Sequence, residues 1–523
     1  MSVSLRAHSF ARALSRHSAA GLAAVSLLGA VAGHADEVFD AGGFSANHDT
    51  FSQLPYEHID PMTGNLLLVF TDLVLPGNAG MDLRIQRTYN SKIYKNWPNT
   101  TLTEDTWAGI GWTLHMGRIR SPYAAVPGPI EMPDGSQHKL FGHINNSGDF
   151  VTRDYWEYDR NTSPPVLRTV DGLIYEFGKA LNLGGTDYLY VTEIKDPFNN
   201  RIVIQYMTSA LDPVDGIASI TQYIGNRTRS VTFTDTGGTN KSLSSMTYNG
   251  NTWQYVQGNS NSAGYSLLTS ARPPVGPAWG YQYRTSGTPR NELLGVTTPN
   301  GGQINYSYDT KAFYLGSTIA VNSRAVTNRS TSGRDIMAGT TTFLYSQGTD
   351  KNQSIITSPC KKVVYTFFGI GDDPTPQPVW KIGLTAQKQV FEGSTLFQSE
   401  TFTWGPSVNI SNATETVGNH TDVGIAVPLI ENRTVMRSPR SYSTDYTYRT
   451  TNYNDYGNPE TITETGKLSR TTTRTYTYGF TPYLVGRVGT QGDAPLLVEH
   501  DEQRRRVHCT TRRPLRRFAE TWV

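Results

Sequence analysis

The sequence predicts an all-β protein built as an array of β-hairpins, and three observations carry that expectation. Five stretches superpose on one another at a period of about 25–26 residues. Each consists of alternating polar and apolar residues on either side of a polar turn. The composition, with 49 glycines, 29 tyrosines and only 17% charged residues, favours strands and turns over amphipathic helices. With 523 residues, 37% of them hydrophobic, the chain exceeds one average domain and can bury a core.

The N-terminus carries Arg6, Arg12 and Arg16, followed by the apolar run "AAGLAAVSLLGAVAG" at 19–33. That run has the length of a secretory h-region and is short for a bilayer span, so residues 1–35 read as a cleavable signal. Cleavage fits after Ala32 or after Ala35, and the second leaves Asp36-Glu37 at the start of the mature chain. No later stretch has the roughly 18 uninterrupted apolar residues of a transmembrane helix. An exported protein, secreted or held at the cell surface, is the expectation.

Residues 36–185 contain strand-like segments at 64–75, 81–91, 112–120 and 173–178, unevenly spaced and interrupted by turns such as "VPGPIEMPDGS" at 126–136. Terminal units of repeat arrays are atypical because one face lacks a neighbour, so this region reads as an N-terminal β-rich cap.

The repeats proper occupy 186–310. They are "VTEIKDPFNNRIVIQY" (191–206), "IASITQYIGNRTRSVTF" (217–233), "LSSMTYNGNTWQYV" (243–256), "LTSARPPVGPAWGYQY" (268–283) and "LGVTTPNGGQINYSYD" (294–309). Their anchors Ile194, Ile220, Met246, Ala271 and Val296 are preceded three residues earlier by Val191, Ile217, Leu243, Leu268 and Leu293. The turns carry Asn199-Asn200, Gly225-Asn226, Asn249-Gly250, Pro274-Val275-Gly276 and Asn300-Gly301, residue types that tolerate left-handed backbone. One hairpin cannot bury its apolar face alone, so neighbouring units must join in a continuous sheet. Looser hairpins continue over 311–490, at 340–348, 361–371, 380–404, 453–466 and 470–480.

Residues 491–523 break the alternation. Seven arginines fall between 504 and 517, which reads as a disordered or frame-altered tail, or as a polyanion-binding segment. Without the signal and residues 501–523, 36 basic residues face 41 acidic ones, a net charge of −5 that leaves no electrostatic footprint for nucleic acid. The two cysteines, Cys360 and Cys509, match no metal spacing and supply no disulfide framework.

Candidates for chemistry are few. His138 and His143 stand five apart on a strand-turn segment without an intervening glutamate, and read as a solvated pair rather than metal ligands. Asp372 and Asp373 sit in a proline-rich loop and read as a surface turn. G-x-S-x-G, phosphate-cradling and EF-hand motifs are absent from the sequence. Trp253, Tyr255, Trp279, Tyr281 and Tyr283 could stack on carbohydrate, with cross-strand packing as the alternative. No catalytic residue, cofactor or metal site is expected, and the protein is expected not to be an enzyme.

The segment "IDPMTGNLLLVFTDLVLPGNAGMDLRIQRTYNS" (59–91), then "GIGWTLHMGRI" (109–119), and the short units "EIKDPFNNRIVIQY" and "YNDYGNPETITE" resemble the RHS/YD-repeat family over about residues 55–490. That family is related in architecture to the shell subunits of insecticidal toxin complexes and to the teneurin barrel. The resemblance implies a strip of hairpins spiralling into part of a hollow β-shell, with a C-terminal toxin or a downstream shell segment as partner. The family's self-cleaving core has no counterpart: the nearest text, "LDPVDGI" (211–217), lies among the repeats. The function expected is therefore a non-enzymatic wall in intercellular competition or toxin encapsulation. A carbohydrate-binding repeat module of the cell envelope is the alternative, and a secreted hydrolase a third.

Overall fold

The computed structural model describes residues 49–493 apart from 95–101, 103–105, 146–147, 184, 209–215, 238–240, 261–265, 316–318, 370–377, 418–419, 449–455, 468 and 481–482. The signal segment 1–35, the tail beyond 493 and the Asp372-Asp373 pair lie outside the described residues.

From Phe141–Gly142 to Tyr483–Asp493 the strands form one antiparallel strip, each pairing with its neighbours in chain order. Two hairpins leave the order. Lys179–Leu183 with Thr186–Tyr190 joins Arg118–Arg120, Ile130–Glu131 and Gln137–His138 in a five-stranded sheet, and Ser411–Val417 pairs with His420–Ile425 in a two-stranded one. The strip curls until its last strand returns to its first ones: Val485 N–H donates to Val170 O at 3.2 Å, and the Tyr483 hydroxyl donates to Tyr155 O at 2.7 Å. Among the described residues the only helical turns are Asn78–Gly80 and Val379–Lys381, and no helix is long and apolar enough to cross a membrane.

The sequence period is the period of the strip. Ile194, Ile220, Met246, Ala271 and Val296 are all buried, and so are Val191, Ile217, Leu243, Leu268 and Leu293. Along Gly302–Leu315, Ile304, Tyr306 and Tyr308 are buried while Gln303, Asn305 and Ser307 are exposed, the alternation of a sheet with one face covered. The turn between Leu243–Tyr248 and Asn251–Asn259 has Asn249 at φ 48° and Gly250 at φ 77°, the two positive values of a two-residue hairpin whose twist matches its strands.

The 36–185 region is not one cap. Its strands divide among three sheets: a four-stranded sheet (Glu57–Ile59, Leu66–Leu75, Leu83–Asn90, Trp112–Thr113), the five-stranded sheet above, and the first strands of the strip, Phe141–Gly142 through Ile174–Glu176. The four-stranded insert does not close an end of the array. It lies along the inner face of the strip, where Leu66, Leu68, Phe70, Leu83, Ile85 and Trp112 share one core with Ile220, Val231, Met246, Val296, Ile304 and Phe343. The physical reason is extent: an apolar face that continues from strand to strand needs a cover along its length.

The Asp60–Asn65 turn shows how the insert is seated. Asp60 Oδ1 accepts the N–H groups of Met62 (2.7 Å) and Thr63 (3.2 Å), and Gly64 N–H donates to Asp60 O at 2.9 Å. Gly64 has φ 67°, its carbonyl accepts Val326 N–H at 3.0 Å, and a Cβ there would stand 2.4 Å from the Ala325 Cβ. Gly64→Ala is therefore expected to cost about 2–4 kcal/mol, from left-handed strain plus overpacking, in urea unfolding of the full chain. A loss under about 0.5 kcal/mol would show that the turn does not seat the insert.

Candidate functional site

Polar groups of the insert meet successive strands of the strip in order. Gln222 Nε2 donates to Leu75 O (3.2 Å) and Met81 O (3.0 Å), and the Tyr255 hydroxyl donates to Asp72 Oδ2 at 2.8 Å. Trp112 Nε1 donates to the Tyr283 hydroxyl at 2.8 Å, and Leu293 N–H donates to the Tyr89 hydroxyl at 3.1 Å. Lys92 Nζ, buried, donates to Thr63 O at 3.0 Å, Ser323 Oγ at 2.6 Å and Arg324 O at 2.7 Å.

Two buried ion pairs anchor this interface. Arg87, 1% exposed, donates Nε to Asp72 Oδ2 at 2.5 Å, a second nitrogen to Asp72 Oδ1 at 3.0 Å and a third to the Tyr281 hydroxyl at 3.2 Å. Its guanidinium also lies 5.2 Å from the Phe70 ring centre and 5.4 Å from that of Tyr255. Burial works against the charge, and the Asp72 carboxylate overcomes it, raising the Arg87 pKa well above its ordinary value. Arg329 donates Nε to Glu57 Oε1 at 2.6 Å, where the Tyr306 hydroxyl also donates at 2.6 Å. Burial pushes the Tyr255, Tyr281 and Tyr306 hydroxyls upward, so all three stay neutral, Tyr255 and Tyr306 as donors and Tyr281 as an acceptor from Arg87.

The five aromatic residues named as carbohydrate candidates belong to this layer. Tyr255 and Tyr281 are buried, and burial leaves neither with a ring face for a sugar. Trp253, Trp279 and Tyr283 are half-buried against the same core; Trp279 packs 5.0 Å from Tyr56 and 4.9 Å from Phe70 between ring centres. Cross-strand and insert packing occupies these rings, which corrects the stacking expectation for Tyr255 and Tyr281.

Along the strip the character of the inner face changes. Register carries it from Phe343 to Ile356, Val363 and Val390, then to Gln398. From there it runs through Glu400 and Val435 to Tyr442, and on to Glu464, Arg470, Arg474 and Gln491. Arg433 on this face is 47% exposed and pairs with Glu400 at 2.9 Å, and the half-exposed Glu464 pairs with Arg470 at 2.8 Å. The same face is apolar and sealed beside the insert, and beyond it carries partly exposed ion pairs.

The histidines are not the solvated pair the sequence suggested. His138 Nδ1 lies 2.6 Å from Asp154 Oδ2 and its Nε2 lies 3.0 Å from Ser136 Oγ, with the imidazole packed on Trp156. His143, side chain 8% exposed, faces Glu157 at 3.8 Å. Burial lowers the His143 pKa and raises that of Glu157, so both lean toward their neutral forms. The two histidines face different partners, and no cluster of three or more metal-ligating groups occurs among the described residues. Ser136 and Asp154 were not singled out from the sequence; Asp154 lies on a separate turn, and only the Ser136-x-His138 spacing was visible.

A family model described as "Domain of unknown function (DUF6531)" matches residues 56–118, the insert and the strand that leaves it. No curated protein matches the chain. Among solved structures, the chain is similar to a TcdB2–TccC3–Cdc42 complex at 8% identity and a TM-score of 0.31, covering 79% of this chain and 36% of that one. It is also similar to a Tc holotoxin pore of Photorhabdus luminescens, at 8% identity and TM-score 0.29, covering 83% of this chain and 37% of that one. The N-terminal domain of effector protein SpvB from Salmonella typhimurium strain LT2 matches at 14% identity and TM-score 0.17, covering 69% of this chain and 99% of that one. The chain thus spans little more than a third of the first two structures.

Arg87→Ala is expected to cost about 3–5 kcal/mol in denaturant unfolding, because it strands the Asp72 carboxylate in the core. A cost near that of a surface residue, under about 0.5 kcal/mol, would mean the pair does not anchor the insert. Glu131 gives a pH signature. Burial would raise its carboxyl, but Arg118 at 2.7 Å and His115 at 3.3 Å prevail and hold it at about 2. Its stabilisation is complete above the ordinary carboxylate value and lost as pH falls through about 2. Unfolding free energies measured down to that pH should fall less steeply in Glu131→Gln; parallel slopes would refute the assignment.

Proposed function

We propose that the chain is an exported wall segment of the RHS/YD-repeat kind, acting in intercellular competition by enclosing or handling a toxin partner. The single observation behind this reading is the change in the inner face. Beside the insert it is a sealed apolar core, whereas beyond Val390 it carries charged pairs, the half-exposed Arg433 with the buried Glu400 and the half-exposed Glu464 with Arg470. A solid core has no use for a charged, hydrated inner face; a wall that borders a water-filled lumen does. The family-model match at 56–118 falls on the segments that carry the RHS/YD resemblance, which supports the same reading.

Two measurements test it. The chain expressed in a bacterium should be recovered outside the cytoplasm with Asp36 as its new N-terminus, and cytoplasmic retention of the uncleaved chain would refute export. A folded reporter fused to the C-terminus should resist a protease concentration that digests the free reporter. Equal digestion of the two would refute enclosure.

A further inference from the structure

The five-stranded sheet beside the strip brings together three side chains that the wall reading leaves unused. Ser136 and His138 are two residues apart on an extended segment and so share a face, and Asp154 reaches them from the turn between Asp149–Val151 and Glu157–Asp159. Ser136 Oγ is 3.0 Å from His138 Nε2, and His138 Nδ1 is 2.6 Å from Asp154 Oδ2. A carboxylate oxygen accepts, so Nδ1 donates to Asp154, while Nε2 faces Ser136 Oγ, whose hydroxyl proton is directed to Asp134 Oδ1. Nucleophile, base and orienting carboxylate thus stand in sequence, each within hydrogen-bonding distance of the next.

Each group is held in place. The Thr152 hydroxyl accepts the N–H groups of Asp154 and Trp156, both at 3.2 Å, which fixes the turn that presents the carboxylate. The Trp156 ring lies 4.0 Å from the imidazole, centre to centre, and the His138 side chain keeps 11% of its surface exposed. Asp134 Oδ1 accepts Ser136 N–H at 2.9 Å and the Ser136 hydroxyl at 2.7 Å, closing the turn that carries the serine. Gln137–His138 is the edge strand of its sheet. Met132 N–H donates to Ser136 O, so the following pair, Glu131 and Gln137, is a non-hydrogen-bonded one. The Gln137 amide therefore points away from the sheet, and the amide directly after a nucleophile is a position that can serve an oxyanion.

We propose that Ser136 is the nucleophile of an ester-hydrolysing site, with His138 as general base and Asp154 as a positioning residue. Ser136 Oγ attacks the ester carbonyl carbon while its proton passes to His138 Nε2. The carbon–alkoxy bond then breaks, the alcohol leaves with the proton from Nε2, and an acyl group stays on Oγ. Water, deprotonated by the same nitrogen, attacks the acyl carbon; the Oγ–acyl bond breaks, releasing the carboxylic acid and restoring the serine. Asp134 competes for the hydroxyl proton at rest, so attack requires that proton to move to the imidazole.

The test uses the full chain and an alkyl fluorophosphonate, which forms an Oγ–phosphorus bond and expels fluoride. Mass spectrometry follows the adduct on Ser136 against the exposed Ser441. Ser136 should be modified at least about 100-fold faster than Ser441, and His138→Gln should slow Ser136 by about 100-fold or more. Asp154→Asn should slow it by at least about 10-fold with an unchanged thermal midpoint, and Asp154→Glu should restore part of the rate. Hydrolysis of p-nitrophenyl acetate should disappear in Ser136→Ala. Modification of Ser136 no faster than Ser441, a result that needs no variant to fold, would overturn the proposal, as would an equal rate in a folded His138→Gln chain.

Discussion

The structure depends on the sealing of the strip's inner face by the insert. The apolar inner positions of the strip from Ile194 to Phe343 need a cover, and the insert supplies it with Leu66, Leu68, Phe70, Leu83, Ile85 and Trp112. Apolar burial is non-directional and would not by itself fix where the insert sits. Position comes from the polar ties, above all the Arg87–Asp72 and Arg329–Glu57 pairs, because misplacing either leaves an uncompensated charge in the core. Tyrosine hydroxyls from the strip complete both pairs, so each aromatic strand end is at once packing material and a hydrogen-bond partner.

The same constraint explains why the wall changes character. Beyond the insert the inner positions turn to Gln398, Glu400, Arg433, Glu464 and Arg470, while Leu429, Tyr456, Tyr483 and Val485 share a second, smaller core with Phe141, Val151, Tyr155, Ile410 and Ile425. Hairpin continuity does not require a core there, since ladder hydrogen bonds and cross-strand contacts such as Thr463–Thr471 and Thr475–Thr490 persist on the outer face. A strip can therefore extend past its core as a thin wall. The Ser136 site lies on the edge of the smaller sheet, and its turn is tied to the insert by the Thr88 hydroxyl, which donates to Pro133 O at 2.7 Å.

The sequence by itself determined the hairpin unit. Left-handed turn residues at Asn199, Gly225, Asn249, Gly276 and Gly301, and buried anchors from Ile194 to Val296, are local consequences of backbone sterics and of period-two alternation, so they were legible without any partner. Only the tertiary structure decided what covers those anchors. The contacts of Asp72 with Tyr255, Glu57 with Arg329 and Lys92 with Ser323 join residues that no spacing rule connects. For that reason the 36–185 region read as an end cap, and Tyr255 and Tyr281 as exposed rings. The same limit hid Asp154 from His138: a strand places i and i+2 on one face, but a side chain arriving from another turn is brought there by packing alone.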